Sequence, residues 1–121
     1  MRTAIGLYCQ ALDDGRVDDV LATFWPDGVL DFVGIGTYEG HDGLRGFYEG
    51  TPPPAMPRRH HIANTHIVDW NDPLVTAFSD FAVVQQSESG WAISVVGRYR
   101  DTLRHQDGIV RFSHRTLELT Q

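Results

Sequence analysis

The chain has 121 residues, enough for one hydrophobic core and too few for two, so a single domain spanning 1–121 is expected. Apolar residues make up 41% and charged residues 21%, proportions that exclude global disorder. A net charge of −6 argues against nucleic-acid and anionic-membrane partners, no apolar run approaches the ~18 residues of a membrane span, and residues 1–10 lack a signal-peptide pattern.

Residues 2–14 read as a helix, because Ala4, Ile5, Tyr8, Cys9 and Leu12 recur at three- and four-residue spacing, with Gly15 as its stop. A second helix is expected over 17–24, and Pro26-Asp27-Gly28 signals a turn. A strand follows at 29–33, then a short strand around Thr37-Tyr38 between glycines. His41 or Asp42 can cap a third helix that carries Leu44, Phe47 and Tyr48. Residues 51–57 contain four prolines and must form an irregular loop. Long strands are then expected near 58–70, 74–86, 90–103 and 109–119, separated by turn signals. Helices first and an antiparallel meander afterwards give an α+β fold. The simplest form is a cone-shaped barrel, with the N-terminal helices packed in a curved, mainly antiparallel sheet around an internal cavity.

The residue types absent from the chain narrow its chemistry. Cys9 is the single cysteine, which excludes an internal disulfide and a cysteine-based zinc site and sets a cytoplasmic location as the expectation. All ten basic residues are arginine, so no lysine can form a Schiff base or hold a pyridoxal cofactor. Neither common Gly-rich phosphate loop occurs.

Several polar residues break the local pattern. On the strand over 90–103, alternation puts Trp91, Ile93, Val95, Gly97, Tyr99, Asp101 and Leu103 on one face, so Asp101 sits among apolar neighbours. A buried carboxylate must be paired, hydrogen-bonded or protonated, and Asp101 is either a structural acid or a group of the site. Asp13 and Asp14 end the first helix, where a carboxylate opposes the macrodipole at roughly 0.3–1 kcal/mol. Asp14 is expected to cap the next helix, whereas Asp13 is equally readable as a cap or as a functional acid. His60 and His61 open the first long strand on opposite faces, which argues against a metal site built from the two. Periodicity groups His60 with Ile62, Asn64 and His66, and His61 with Arg59, Ala63 and Ile67, without deciding which face is inside. No metal-binding spacing occurs, and no metal is expected. Asp31 contacts either the cavity or an edge. Aromatics such as Phe32, Tyr38, Phe47, Phe81 and Tyr99 are core by default, with some lining a pocket.

Three stretches carry a family likeness. The first runs from Tyr8 through Asp13-Asp14-Gly15 to Phe24 and on to the segments around Asp31 and Tyr38. The second is Arg59-His60-His61-Ile62-Ala63-Asn64. The third comprises Gly97 to Asp101 and Asp107 to Arg115. Together they resemble the SnoaL-like, nuclear transport factor 2-like superfamily over nearly the whole chain, and most of all the branch of scytalone dehydratase and hexachlorocyclohexane dehydrochlorinase. The resemblance implies a general base at His60, oriented by Asp13. It matches Arg115 to an arginine lining the dehydrochlorinase cavity and brings Asp101 close to an oxyanion-site acid of ketosteroid isomerases. Phe32 stands where scytalone dehydratase has a catalytic tyrosine, and Gln85 near its second active-site histidine, so scytalone itself is not expected as substrate. Asp101, Tyr99, Tyr38 and Arg115 are the candidates for meeting a leaving group or oxyanion. The implied activity is a cofactor-independent, dehydratase-like or dehydrohalogenase-like lyase acting on a small apolar or polyketide-like molecule. An isomerase, a cyclase, an epoxide hydrolase or a non-catalytic ligand-binding or assembly module on the same scaffold is the alternative. The expected partners are a small-molecule substrate and further copies of the chain, as a homodimer or homotrimer.

Overall fold

The apolar stripe near the N-terminus forms helix α1, Arg2–Asp13, with Ala4, Ile5, Tyr8, Cys9 and Ala11 buried, in a computed structural model that describes residues 1–51 and 54–120. Gly15 ends it: at φ +72° it takes the left-handed conformation while its N–H donates to Leu12 O. Helix α2 is Val17–Ala22, shorter than the 17–24 expected. Thr23 closes it by donating its Oγ1–H to Val20 O at 2.6 Å, which frees Phe24 to begin strand β1, Phe24–Phe32. Asp14 does not cap α2; it lies against Arg16 on the exposed side.

The Pro26-Asp27-Gly28 signal marks an irregularity inside β1 rather than a turn between elements. The register against strand β6 (Ile109–Leu119) slips between Phe24 and Val29. Gly28 is packed so closely that a Cβ there would stand 2.9 Å from Trp25 O. Strand β2 is Gly36–Glu39, and helix α3 is Gly40–Gly50. Neither His41 nor Asp42 caps α3, whose N-cap is Glu39. The His41 Nε2–H instead donates to Phe24 O at 3.0 Å and ties α3 to β1. Of the expected proline loop, Pro52 and Pro53 lie outside the described residues.

Strands β3 (Arg58–Asn71), β4 (Leu74–Ser87), β5 (Gly90–Gln106) and β6 form the expected meander. The sheet has six strands in the order β2-β1-β6-β5-β4-β3, antiparallel except where β1 runs parallel to β6. It is curved but does not close: β2 and β3 are its edges. Helix α1 packs on β3 and β6, and α3 on β1 and β2, so the helices fill the concave side. The fold is mixed α+β, with the helices held in a cupped sheet.

Two bulges decide which side chains face inward. On β5 the expected alternation holds from Val95 to Leu103. At Ser94 the register slips, since Val83 pairs with Val95 but Val84 with Ile93. Trp91 and Ile93 are therefore thrown outward, 52% and 65% exposed, against the expectation that they share the inner face. On β3 Asn64 takes φ +56° and the register slips between Ala63 and His66. Thr65 turns inward to hydrogen-bond the buried Ser79 hydroxyl at 2.9 Å, and Asn64 and His66 are exposed instead of sharing the face of His60.

Candidate functional site

Asp13 is the last residue of α1, where its charge opposes the helix dipole. The carboxylate is held there by groups from β3. Its Oδ2 accepts the backbone N–H of His60 at 2.8 Å, and its Oδ1 accepts the His60 Nδ1–H at 2.5 Å. Arg58 Nε faces the same Oδ1 at 3.5 Å, and Arg58 Nη2 donates to Leu12 O at 3.1 Å. Arg58 and His60 of β3 thus clamp the end of α1. The side chains of Asp13 and His60 are 4% and 7% exposed. With Nδ1 donating to the carboxylate, the imidazole turns its other nitrogen, Nε2, away from Asp13 as the acceptor. His61, on the opposite face, is exposed, which separates the two histidines as alternation requires.

His60 lines a cavity of about 290 Å³. The walls are mostly apolar, with Phe32, Phe47, Phe81, Val83, Val95 and Leu117 among them. Phe81 stands beside the imidazole (centroids 6.1 Å apart) and stacks on Tyr99 at 4.4 Å. That stack depends on Gly97, Phe81's partner across the β4–β5 ladder: a Cβ on Gly97 would stand 2.6 Å from the Phe81 ring. A second hollow, of about 540 Å³, lies on the Asp13 side and shares Leu12, Tyr48, Thr51 and Arg58 with the first.

The sequence candidates divide between the cavity and its surroundings. Phe32, Tyr99 and Gln85 line it beside His60. Gln85 spends its amide N–H groups on Met56 O and Pro57 O, so it braces the segment before β3. Tyr38 does not line the cavity; it packs on Phe47, which does. Asp31 is outside, accepting a hydrogen bond from Thr37 at the β1–β2 edge.

Asp101 and Arg115 also lie outside the cavity, against the expectation that they meet the substrate. They are cross-strand partners on β5 and β6, both 0% exposed at the side chain. Arg115 Nε stands 3.0 Å from Asp101 Oδ1 but out of hydrogen-bond alignment. The guanidinium is boxed by the rings of Tyr99, Tyr8 and Phe112 at 3.5, 4.2 and 4.4 Å. Tyr8 and Tyr99 thereby stand between this cation and the cavity they line. Burial pushes the Asp101 carboxyl up to about 6, with Arg115 pulling against it. Burial works against the Arg115 charge too, yet Asp101 and then Tyr99 outweigh it and hold the guanidinium above its ordinary range.

Sequence reasoning missed Arg58 and the Tyr8–Tyr48 pair, whose hydroxyls meet at 2.7 Å on the cavity wall. Tyr8 lies within α1's apolar stripe, where its hydroxyl was the available signal, since a buried phenol needs a partner. Among the described residues no three His, Cys, Asp or Glu side chains gather as a metal ion requires. Among them, too, no helix is long and apolar enough to cross a membrane.

A histidine–carboxylate pair at one wall of an apolar pocket, inside a cupped α+β sheet, is the setting in which comparison with known proteins becomes informative. The chain belongs to the SnoaL-like domain family, whose sequence profile matches residues 1–116. No curated protein matches it by sequence. Among solved structures, ActVI-ORFA from Streptomyces coelicolor superposes with a TM-score of 0.85 at 22% identity, covering 97% of this chain and 92% of that one. A proposed scytalone dehydratase from Novosphingobium aromaticivorans gives 0.82 at 22%, covering 99% and 81%. A protein of unknown function from Mycobacterium tuberculosis, solved as a point variant, gives 0.85 at 22%, covering 99% and 69%. At these identities the likeness is one of fold, the nuclear transport factor 2-like and cystatin-like architecture.

Proposed function

We propose that the protein is a lyase-type enzyme, dehydratase-like or dehydrohalogenase-like, that removes a proton from a small, largely apolar or polyketide-like molecule. The observation that carries this reading is the buried His60 Nδ1–Asp13 contact of 2.5 Å at the wall of the 290 Å³ cavity. A buried, oriented imidazole with a free nitrogen over an apolar hollow is the arrangement a general base needs. In the proposed step His60 Nε2 takes a proton from carbon. The C–H electron pair becomes the new double bond, and the group on the neighbouring carbon leaves as halide, or as water after receiving the proton from the imidazolium. Asp13 stabilises that imidazolium. Atoms and electrons balance without an oxidant or reductant. The neighbour proposed as a scytalone dehydratase, in whose fold this chain shares, is in keeping with an elimination. The same base would serve an isomerase through proton return to another carbon.

The test is turnover on one- and two-ring β-hydroxy and β-halo ketones. His60→Ala is expected to lower kcat by about 10²- to 10⁴-fold, the usual contribution of a general base, and Asp13→Asn to fall in the same range. Both variants should keep the fold. Near-wild-type turnover in either, on a substrate the wild type converts, removes the dyad from the mechanism.

A further inference from the structure

The cavity is flanked by different ground on its two sides. The hollow on the Asp13 side has the carboxylates of Asp14 and Glu49 in its wall. Where β6 ends against β5, a notch of about 410 Å³ lies among Ile93, Ser94, Val95, Val96, Leu119 and Thr120, with no charged side chain among its described walls. Strand β6 makes this notch by stopping short. Leu119 pairs with Gly97 and Thr120 N donates to Val96 O at 2.8 Å, after which, among the described residues, 90–95 of β5 run beside β4 alone.

This strip of β5 departs from the usual make-up of an open strand edge. Such edges carry charges or prolines that keep other chains off, whereas Gly90-Trp91-Ala92-Ile93-Ser94-Val95 has neither. The bulge at Ser94 turns Ile93 outward, and Ile93, Val96 and Leu119 are all exposed at this end. Apolar side chains gathered at an edge are unfavourably hydrated unless something covers them. The notch also adjoins the cavity, because Ser94, Val95 and Leu119 line both. Ser94 is the one polar side chain at that junction, and it spends its hydroxyl on Val83 O at 3.3 Å. A molecule lodged beside His60 thus meets an apolar way out over Val95 and Leu119.

Taking the cavity as the substrate site of the reading above, we propose that the notch is a second subsite, which receives the hydrocarbon tail of a molecule whose head lies beside His60. The substrate class is then a compact head bearing an unbranched, uncharged chain. The head fills the 290 Å³ cavity, and the chain passes over Val95 and Leu119 to lie against Ile93 and Val96. Continuity with the cavity favours this occupant over a second copy of the chain, which could cover the same edge with no opening between notch and cavity.

The test is titration with a series of 2-naphthyl ketones of lengthening acyl chain, from 2-acetylnaphthalene to 2-octanoylnaphthalene. A fully buried methylene is worth about fourfold in affinity, and one half-covered in an open notch about twofold. Wild-type affinity should therefore rise about twofold per methylene once the cavity is filled. Ile93→Ser/Val96→Ser should flatten that rise while leaving 2-acetylnaphthalene affinity within about twofold, since neither side chain lines the cavity. Trp70→Ser removes a comparably exposed apolar side chain near the far end of β3 and should leave the rise intact. A wild-type affinity independent of chain length, or a rise unchanged in the double variant, overturns the proposal. If the double variant separates copies of the chain in sedimentation while the rise persists, the patch is a contact between copies and the proposal fails. His60→Ala should keep the chain-length dependence. That dependence, lost in the double variant of a protein with no His60-dependent chemistry, would leave the notch standing and refute the dyad. Dyad-dependent chemistry with binding indifferent to chain length would do the reverse.

Discussion

At the level of single residues, the chain places two buried acids in opposite circumstances. Asp13 accepts two hydrogen bonds from His60 and faces Arg58, so its charge is met from several sides. Among the described residues Asp101 has one charged partner, the misaligned Nε of Arg115, whose guanidinium is boxed by aromatic rings. Its carboxyl, raised by burial to about 6 against 3.8 for a free one, holds a proton in the native state over a range where the unfolded chain has lost it. The stability this gives is full below about pH 4 and is lost as pH climbs through about 6. The wild type should therefore lose roughly 3 kcal/mol relative to Asp101→Asn across that window, read from urea melts at each pH. A flat difference curve contradicts the assignment. Removing Arg115 should cost about 3–5 kcal/mol, because it leaves Asp101 buried without its counter-ion. The residue-scale site was half legible in the sequence. Strand periodicity singled out Asp101 and the helix dipole singled out Asp13 as violations, and the family likeness paired Asp13 with His60. No local pattern could show that Asp101 and Arg115 meet behind the cavity, because their meeting depends on β5–β6 register.

Elements tell a similar story. The meander was readable from turn residues and long apolar alternation, and the four long strands stand close to where they were expected. Bulges were not readable, because a single extra residue leaves no compositional mark, yet each reverses the facing of the residues beyond it. The one at Ser94 brings both Ser94 and Val95 to the cavity wall and turns Ile93 outward. The one at Asn64 ends the inward run that begins with His60 and Ile62. Gly97 is an element-scale requirement of a different kind: its missing Cβ makes room for Phe81 to stack on Tyr99. Gly97→Ala should destabilise the protein by about 1–3 kcal/mol and displace the Phe81 ring toward the cavity, lowering ligand affinity. Calorimetry together with probe titration checks this; a variant as stable and as competent to bind as the wild type would show that the close packing at Gly97 is not needed.

On the scale of the whole molecule, the helices and the sheet form one cup, and the His60–Asp13 pair belongs to neither alone. Asp13 ends α1 and His60 starts β3, separated by 47 positions in the chain, so the dyad exists only when the helix end docks on the sheet edge. That long-range closure explains why periodicity left His60 and His61 as equals, a tie that only the family likeness broke in favour of His60. We propose that this docked dyad works as a base on carbon inside the cavity. The most direct test is deuterium incorporation into the methyl group of 2-acetylnaphthalene in D2O, followed by NMR. Wild-type protein should accelerate the exchange over buffer, and His60→Ala and Asp13→Asn should each remove about 10² or more of that acceleration. Equal exchange in wild type and His60→Ala, or none above buffer with the ketone bound, would contradict it.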